Sequence, residues 1–274
     1  MTADGEAEAG LRAVAGLADA AIDLADTALL FAALDRPHVA LDRYRRHLAM
    51  LGTAVGEAAE GAGLAARIAA INGILFDREG YDGDRLTYDD QRNANLMHVI
   101  DRRRGLPVSL GILYIHAARA QAWPVTGLSF PGRFLLRLAG DGERAVIDPF
   151  ERGRTRDAAD LRALLATMAD REAGLDPGYY EPVGNRDVLI RLQTNIKLRH
   201  LHNGAVERAS QVAERLLWIA PGEARLWQDF GRLQAQLGNH DMAKAALETC
   251  IDRSDDEGLR HATARLLREI ATHS

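Results

Sequence analysis

Through the first quarter of the chain, apolar residues recur at the three- and four-residue intervals of a helix with one buried face. Ala21, Leu24, Ala25, Ala28 and Leu29 form one such series, Leu41, Tyr44, Leu48 and Leu51 a second, and Leu64, Ile68, Ile71 and Leu75 a third. Asp35-Arg36-Pro37 separates the first two, and the glycines at 61 and 63 separate the second from the third. The pattern predicts a helical lead-in from about Leu11 to Ile74. The cluster Gly80-Tyr81-Asp82-Gly83-Asp84 then favours turns over helix and predicts a loop to about Gln91.

A short helix is expected over Asn93–Ile100, ending at Asp101-Arg102-Arg103-Arg104-Gly105. Three cations beside a glycine suit a helix C-terminus, so capping and dipole complementation are their expected roles. After Leu106-Pro107 the residues Leu110, Leu113, Tyr114, Ala117 and Ala118 predict an apolar helix from Val108 to Ala122, with proline at its start. Three short runs, Val125–Leu128, Arg133–Leu138 and Arg144–Ile147, read as strands, and Asp141-Gly142 reads as the hairpin turn between the last two. A central helix on a small antiparallel sheet makes this region α+β.

Helix resumes at Asp157, and Gly174–Pro182 has the composition of a linker. Beyond it, Trp227, Phe230, Gly231, Leu237-Gly238, Ala243 and Leu247 match the spacing of a helical repeat. Ala209, Ala213 and Leu216 precede Ala243, Leu247 and Cys250 by 34 residues each, so two repeats are expected. Residues 1–185 and 186–274 are the expected domains. In the repeats, Ala209, Ala213, Ala243 and Ala246 are expected to mark close helix approach.

Composition narrows the function. A formal charge of −5 gives no broad attraction for phosphate backbones, which argues against a nucleic-acid partner. The first ten residues are acidic and lack a basic, then apolar, leader. No apolar run is long enough to span a membrane, and a cytoplasmic protein without membrane partners is expected. One cysteine, Cys250, permits neither a disulfide nor a multi-cysteine metal site. His200 and His202, two apart on a helix, lean to different faces and predict no chelate, so no metal and no cofactor are expected.

The stretch from Asn93 to Phe150 resembles the core of the transglutaminase-like (papain-like) superfamily, in particular bacterial SirB-type proteins that join such a core to tetratricopeptide repeats. Asn93-Ala94-Asn95-Leu96, Arg103 through Leu110, Phe130 through Arg137, and Ile147-Asp148-Pro149-Phe150 carry the resemblance. It implies an active site of cysteine at the start of the central helix, histidine on the next strand and aspartate on the strand after. The thiol is activated by helix and imidazole, and the carboxylate orients the imidazole. Here those positions hold Ser109, Arg133 and Asp148.

An arginine stays protonated and cannot take the proton of Ser109 as a general base. It can pair with Asp148 or bind an anion, which makes Arg133 and Asp148 the candidate ligand-binding residues. His116, seven residues beyond Ser109, lies roughly 10 Å along the helix and out of reach. His98 has no feature that requires it to meet Ser109. Ser109 itself is expected to satisfy backbone groups at a helix start. Trp123, Phe130 and Phe150 are expected in the core. The resemblance then implies a non-catalytic protein that binds a protein or peptide partner through the degenerate site and the repeats. The alternative is a serine hydrolase or acyltransferase in which Ser109 uses an unidentified base.

Overall fold

The computed structural model describes residues 3–61, 63–167 and 175–271. Two compact units divide the chain: residues 1–7 with 19–189, and residues 8–18 with 190–274.

Helix α1 (Ala3–Val14) is shared between the two units. In the first unit follow α2 (Leu24–Leu34), α3 (Asp42–Ala58) and α4 (Leu64–Asn72). The Asp23 side chain caps α2 by accepting from Asp26 N at 2.9 Å, and α2 is buried on nearly every side. α3 buries Tyr44, Leu48 and Leu51 at the predicted spacing, together with Gly52, Ala54 and Val55 in its last turns. A single stretch of π-helix, Gly73–Arg78, continues α4.

The predicted loop is interrupted by the two-residue strand β1 (Asp82–Gly83). Then come α5 (Leu96–Arg102), β2 (Arg104–Gly105), which pairs in parallel with β1, and the central helix α6 (Pro107–Arg119). Asn95 caps α5 by accepting from His98 N at 3.1 Å, and Arg103 ends it in the left-handed region at φ 56°. Pro107 occupies the first turn of α6, where a missing N–H costs no hydrogen bond. α6 ends at Arg119, three residues earlier than expected, and Ala122 at φ 54° turns the chain away.

Strands β3 (Val125–Leu128), β4 (Leu135–Gly140) and β5 (Glu143–Asp148) form the predicted meander. Asp141 (φ 52°) and Gly142 (φ 80°) make its turn with both residues left-handed, the geometry for which Asp-Gly is suited. Two edge strands escape sequence reasoning: β6 (Arg154–Arg156) and, after α7 (Ala158–Ala166), β7 (Pro182–Val183). The sheet order is β6-β5-β4-β3-β7, antiparallel throughout.

Both faces of the sheet are covered, which accounts for the burial of the consecutive residues Leu135 and Leu136 in β4, with Arg137 the one charged residue of the strand. Alternate residues point to opposite faces, so Phe134 and Leu136 meet α6 while Leu135 joins Leu128, Phe130, Leu161 and Leu165 on the side of α7. Gly111 makes the α6 side possible, since a Cβ there would lie 2.5 Å from the Phe134 ring. The expected linker is partly structural: Leu175, Tyr179 and Tyr180 pack on this core and Pro182 starts the edge strand, while Gly174 lies outside the described residues.

In the second unit, α8 (Asn185–His202), which begins in the first unit, α9 (Val206–Ile219), α10 (Ala224–Gln236), α11 (His240–Arg253) and α12 (Glu257–Ala271) follow one another with short turns. Ala209, Ala213, Leu216, Ala243, Leu247 and Cys250 are all buried, at equivalent points of α9 and α11. Gly231 in α10 faces Leu247 closely. Arg12 of α1 stacks on the Trp218 ring at 4.6 Å.

Candidate functional site

The positions matched by the resemblance lie in two polar clusters. The first is built around Asn93, whose backbone carbonyl accepts from Leu106 N at 3.0 Å and from Ser109 Oγ at 2.7 Å. The hydroxyl also lies 3.0 Å from Leu106 O. Ser109 is fully buried, and its single proton is shared between carbonyls that can only accept. Among the described residues no nitrogen base contacts it. His116 Nε2 is at 3.0 Å from Leu48 O, a link between α6 and α3. His98 is half-buried, and burial, then the charge of Arg36, lower its pKa.

Asn93 also ties down the preceding loop. Its amide donates to Thr87 O at 2.7 Å, and its side-chain oxygen accepts from Arg102 at 2.8 Å. Arg102 reaches Asp84 at 3.0 Å, and Asp84 also accepts from the Thr87 backbone (2.8 Å) and hydroxyl (2.6 Å). Burial alone raises the Asp84 pKa, but the bonds from Thr87, Asn93 and Arg102 prevail and bring it down to about 2. The capping role expected of Arg102–Arg104 therefore holds only in part. Arg103 bonds the end of α5 at Ile100 O, Arg102 serves the loop, and Arg104 donates to Gly80 O and Arg103 O.

The second cluster surrounds Asp148, which is completely buried at the end of β5. Its Oδ1 caps the turn Pro149–Glu151 by accepting from Phe150 N at 3.1 Å and Glu151 N at 3.3 Å. Its Oδ2 accepts from Arg156 Nε at 3.2 Å and Nη2 at 2.8 Å. Arg133, just ahead of β4 rather than within it, places Nε 3.3 Å from the same oxygen, but its N–H is not aimed there and makes no hydrogen bond. That contact is coulombic. Arg133 Nη2 instead donates to Glu151 Oε1 at 2.9 Å, and Arg85 holds Glu151 Oε2 at 2.8 Å. The guanidinium carbons of Arg85 and Arg133 each lie 5.1 Å from the centre of the Phe150 ring.

Arg133 and Asp148 thus lie together, whereas no hydrogen bond or ion pair joins Ser109 to either of them. Phe130 and Phe150 are core residues, but Trp123 is only half-buried, with Arg67 over its ring at 5.6 Å. Arg156 and Glu151 are the participants that sequence reasoning missed. Asp-Pro with a carboxylate two residues on signals a capped turn. The antiparallel register Asp148↔Arg154 is what returns Arg156 to Asp148, and only the structure supplies it. No group of acidic, histidine or cysteine side chains suited to a metal occurs among the described residues, and none of their helices is long and apolar enough to cross a membrane.

Comparison with known proteins agrees with this architecture. Residues 42–194 match the transglutaminase-like superfamily, and residues 196–269 match the tetratricopeptide repeat. A UPF0162 protein of Xylella fastidiosa is 35% identical over 181 residues, 65% of this chain and 64% of that protein. The match therefore spans slightly less than two thirds of that relative. A UPF0162 protein of Vibrio cholerae is 30% identical over 193 residues, covering 70% of this chain and 71% of its own length. Protein SirB1 of Salmonella typhimurium is 25% identical over 199 residues, 72% and 74% of the two chains. No solved structure matches. With the central helix, the small sheet and the repeat helices in place, the chain belongs to the transglutaminase-like superfamily, as a SirB-type bacterial protein of the UPF0162 group with C-terminal tetratricopeptide repeats.

Proposed function

We propose that this protein is a non-catalytic transglutaminase-like protein that works in the cytoplasm as a regulatory or adaptor module for a protein or peptide partner. The observation that carries the reading is the state of the position corresponding to the base. Arg133 stands there, permanently charged and held between Asp148 and Glu151. The Ser109 hydroxyl, buried and spent on Asn93 O and Leu106 O, has no neighbour that could take its proton.

Partner binding rests on the tail, because tetratricopeptide repeats generally mediate protein–protein contacts and stacked helix pairs leave a concave surface for an extended segment. At the degenerate site, Arg133 and Asp148 remain the proposed ligand-binding pair. A ligand there has to displace Glu151, the more exposed of the two carboxylates on Arg133.

A phosphonate probe for activated serines, applied to the full chain and to Ser109→Ala, tests the first half of the proposal. Equal background labelling of both is expected. Labelling of the parent that disappears in Ser109→Ala establishes instead the serine hydrolase or acyltransferase reading. Cross-linking to a bound partner tests the second half: adducts within residues 190–271 are expected, and adducts confined to residues 19–189 refute recruitment by the repeats.

A further inference from the structure

The chain is acidic overall, yet arginines gather at a surface recess away from the Asp148 cluster. The recess, about 340 Å³, is lined by Arg43, Tyr44 and His47 of α3 with Ile100, Asp101 and Arg103 at the end of α5. Behind it, Asp101 holds Arg36 at 2.8 Å and Arg43 at 2.9 Å, and the buried Tyr44 hydroxyl bonds Asp101 and both of these arginines. On the other side Arg103 pairs with Glu79 at 3.0 Å and donates to Tyr81 Oη at 2.8 Å. His47 Nε2 lies 2.8 Å from the same phenol and 3.2 Å from Arg103. An arginine N–H can only donate, so Nε2 is the acceptor and the ring is neutral in this arrangement.

Two carboxylates therefore face four guanidiniums, Arg36 and Arg43 on Asp101 and Arg78 and Arg103 on Glu79, which leaves positive charge in excess. The guanidiniums also keep donors in reserve. Arg43 uses only Nη2 toward the protein, and Nε of Arg103 makes no hydrogen bond among the described residues. The Arg43 side chain is half exposed and that of Arg103 about a third exposed, so both guanidiniums are within reach of a solvent-borne ligand. Asp101, Tyr44 and Glu79 hold the two forks in place before any ligand arrives, which reduces the ordering cost of binding.

We propose that this recess binds a phosphate group, with Arg43 and Arg103 as its ligands and His47 at its edge. Phosphate is favoured over carboxylate by charge. A phosphate monoester carries about −1.5 to −2 at neutral pH, whereas a carboxylate would compete as an equal with Asp101 and Glu79. Its several acceptor oxygens also match guanidinium forks approaching from two directions.

The test is calorimetric titration of the full chain at low ionic strength with inorganic phosphate, phosphoserine and acetate. Saturable binding on the order of 1 mM or tighter is expected for at least one phosphate compound, and none for acetate. Preference for inorganic phosphate identifies the free ion as the ligand, and preference for phosphoserine identifies a monoester. Arg43 is half exposed, so Arg43→Gln should leave the melting temperature unchanged while weakening binding at least roughly fivefold, as loss of a charge-assisted hydrogen bond requires. Glu79→Gln removes a competing charge from Arg103 and should tighten binding about threefold, a gain that misfolding cannot mimic. Absence of saturable phosphate binding, equal binding of acetate, or indifference to both substitutions overturns the proposal.

Discussion

Removal of Arg156 exposes how the Asp148 cluster is held. Arg156 is nearly buried, and it supplies both side-chain hydrogen bonds that Asp148 receives. Breaking a buried ion pair by deleting one partner costs about 3–5 kcal/mol, because the remaining charge stays desolvated. Asp148 keeps two backbone N–H donors and the coulombic contact with Arg133, so Arg156→Ala should cost somewhat less than that range, about 2–3 kcal/mol. For a unit of this size that corresponds to a fall of about 4–12 °C in Tm. Glu151→Gln removes a carboxylate that is a third exposed and should cost less than about 1 kcal/mol. Urea unfolding followed by far-ultraviolet circular dichroism measures both, with an unchanged denaturant slope showing that the unfolded states compare. A cost below about 1 kcal/mol for Arg156→Ala, or an equal cost for Glu151→Gln, refutes the view that Arg156 is the main counter-charge of Asp148.

Asp84 should govern part of the acid stability. Its folded pKa of about 2 lies below the ordinary 3.8, so its contribution is complete above pH 3.8 and is lost as pH falls toward 2. Stability measured across that window should fall less steeply in Asp84→Asn, and an identical slope refutes the assignment. In the repeats, Ala243 is fully buried, and Ala243→Leu should overpack the α10–α11 interface and cost about 1–3 kcal/mol in a melting experiment. An unchanged melt counts against the close approach inferred there.

The elements legible in the sequence are those with strong local signals. Pro107 and the apolar run behind it mark α6, Asp141-Gly142 marks the hairpin, and the 34-residue recurrence marks the tail. What stayed hidden is short or nonlocal. β6 reads Arg-Thr-Arg, without an apolar face to reveal it, and β7 is two residues long and begins with a proline that only a sheet edge tolerates. Ser109 and Asn93 are 16 residues apart, and nothing in their spacing announces that the hydroxyl is consumed by that carbonyl. The same limit hid Arg156, which becomes a partner of Asp148 only through strand pairing.

The contact between Gly105 and Ser109 bears on any attempt to return a thiol to this scaffold. A Cβ on Gly105 would already lie 2.7 Å from Ser109 Oγ, with Val99 crowding the same point. Sulfur is larger than oxygen and a weaker hydrogen-bond donor, so Ser109→Cys would give up much of the bond to Asn93 O and would depend even more on Gly105 carrying no Cβ. A thiol at position 109 would therefore need both a bare Gly105 beside it and, in place of the protonated Arg133, a group able to take its proton.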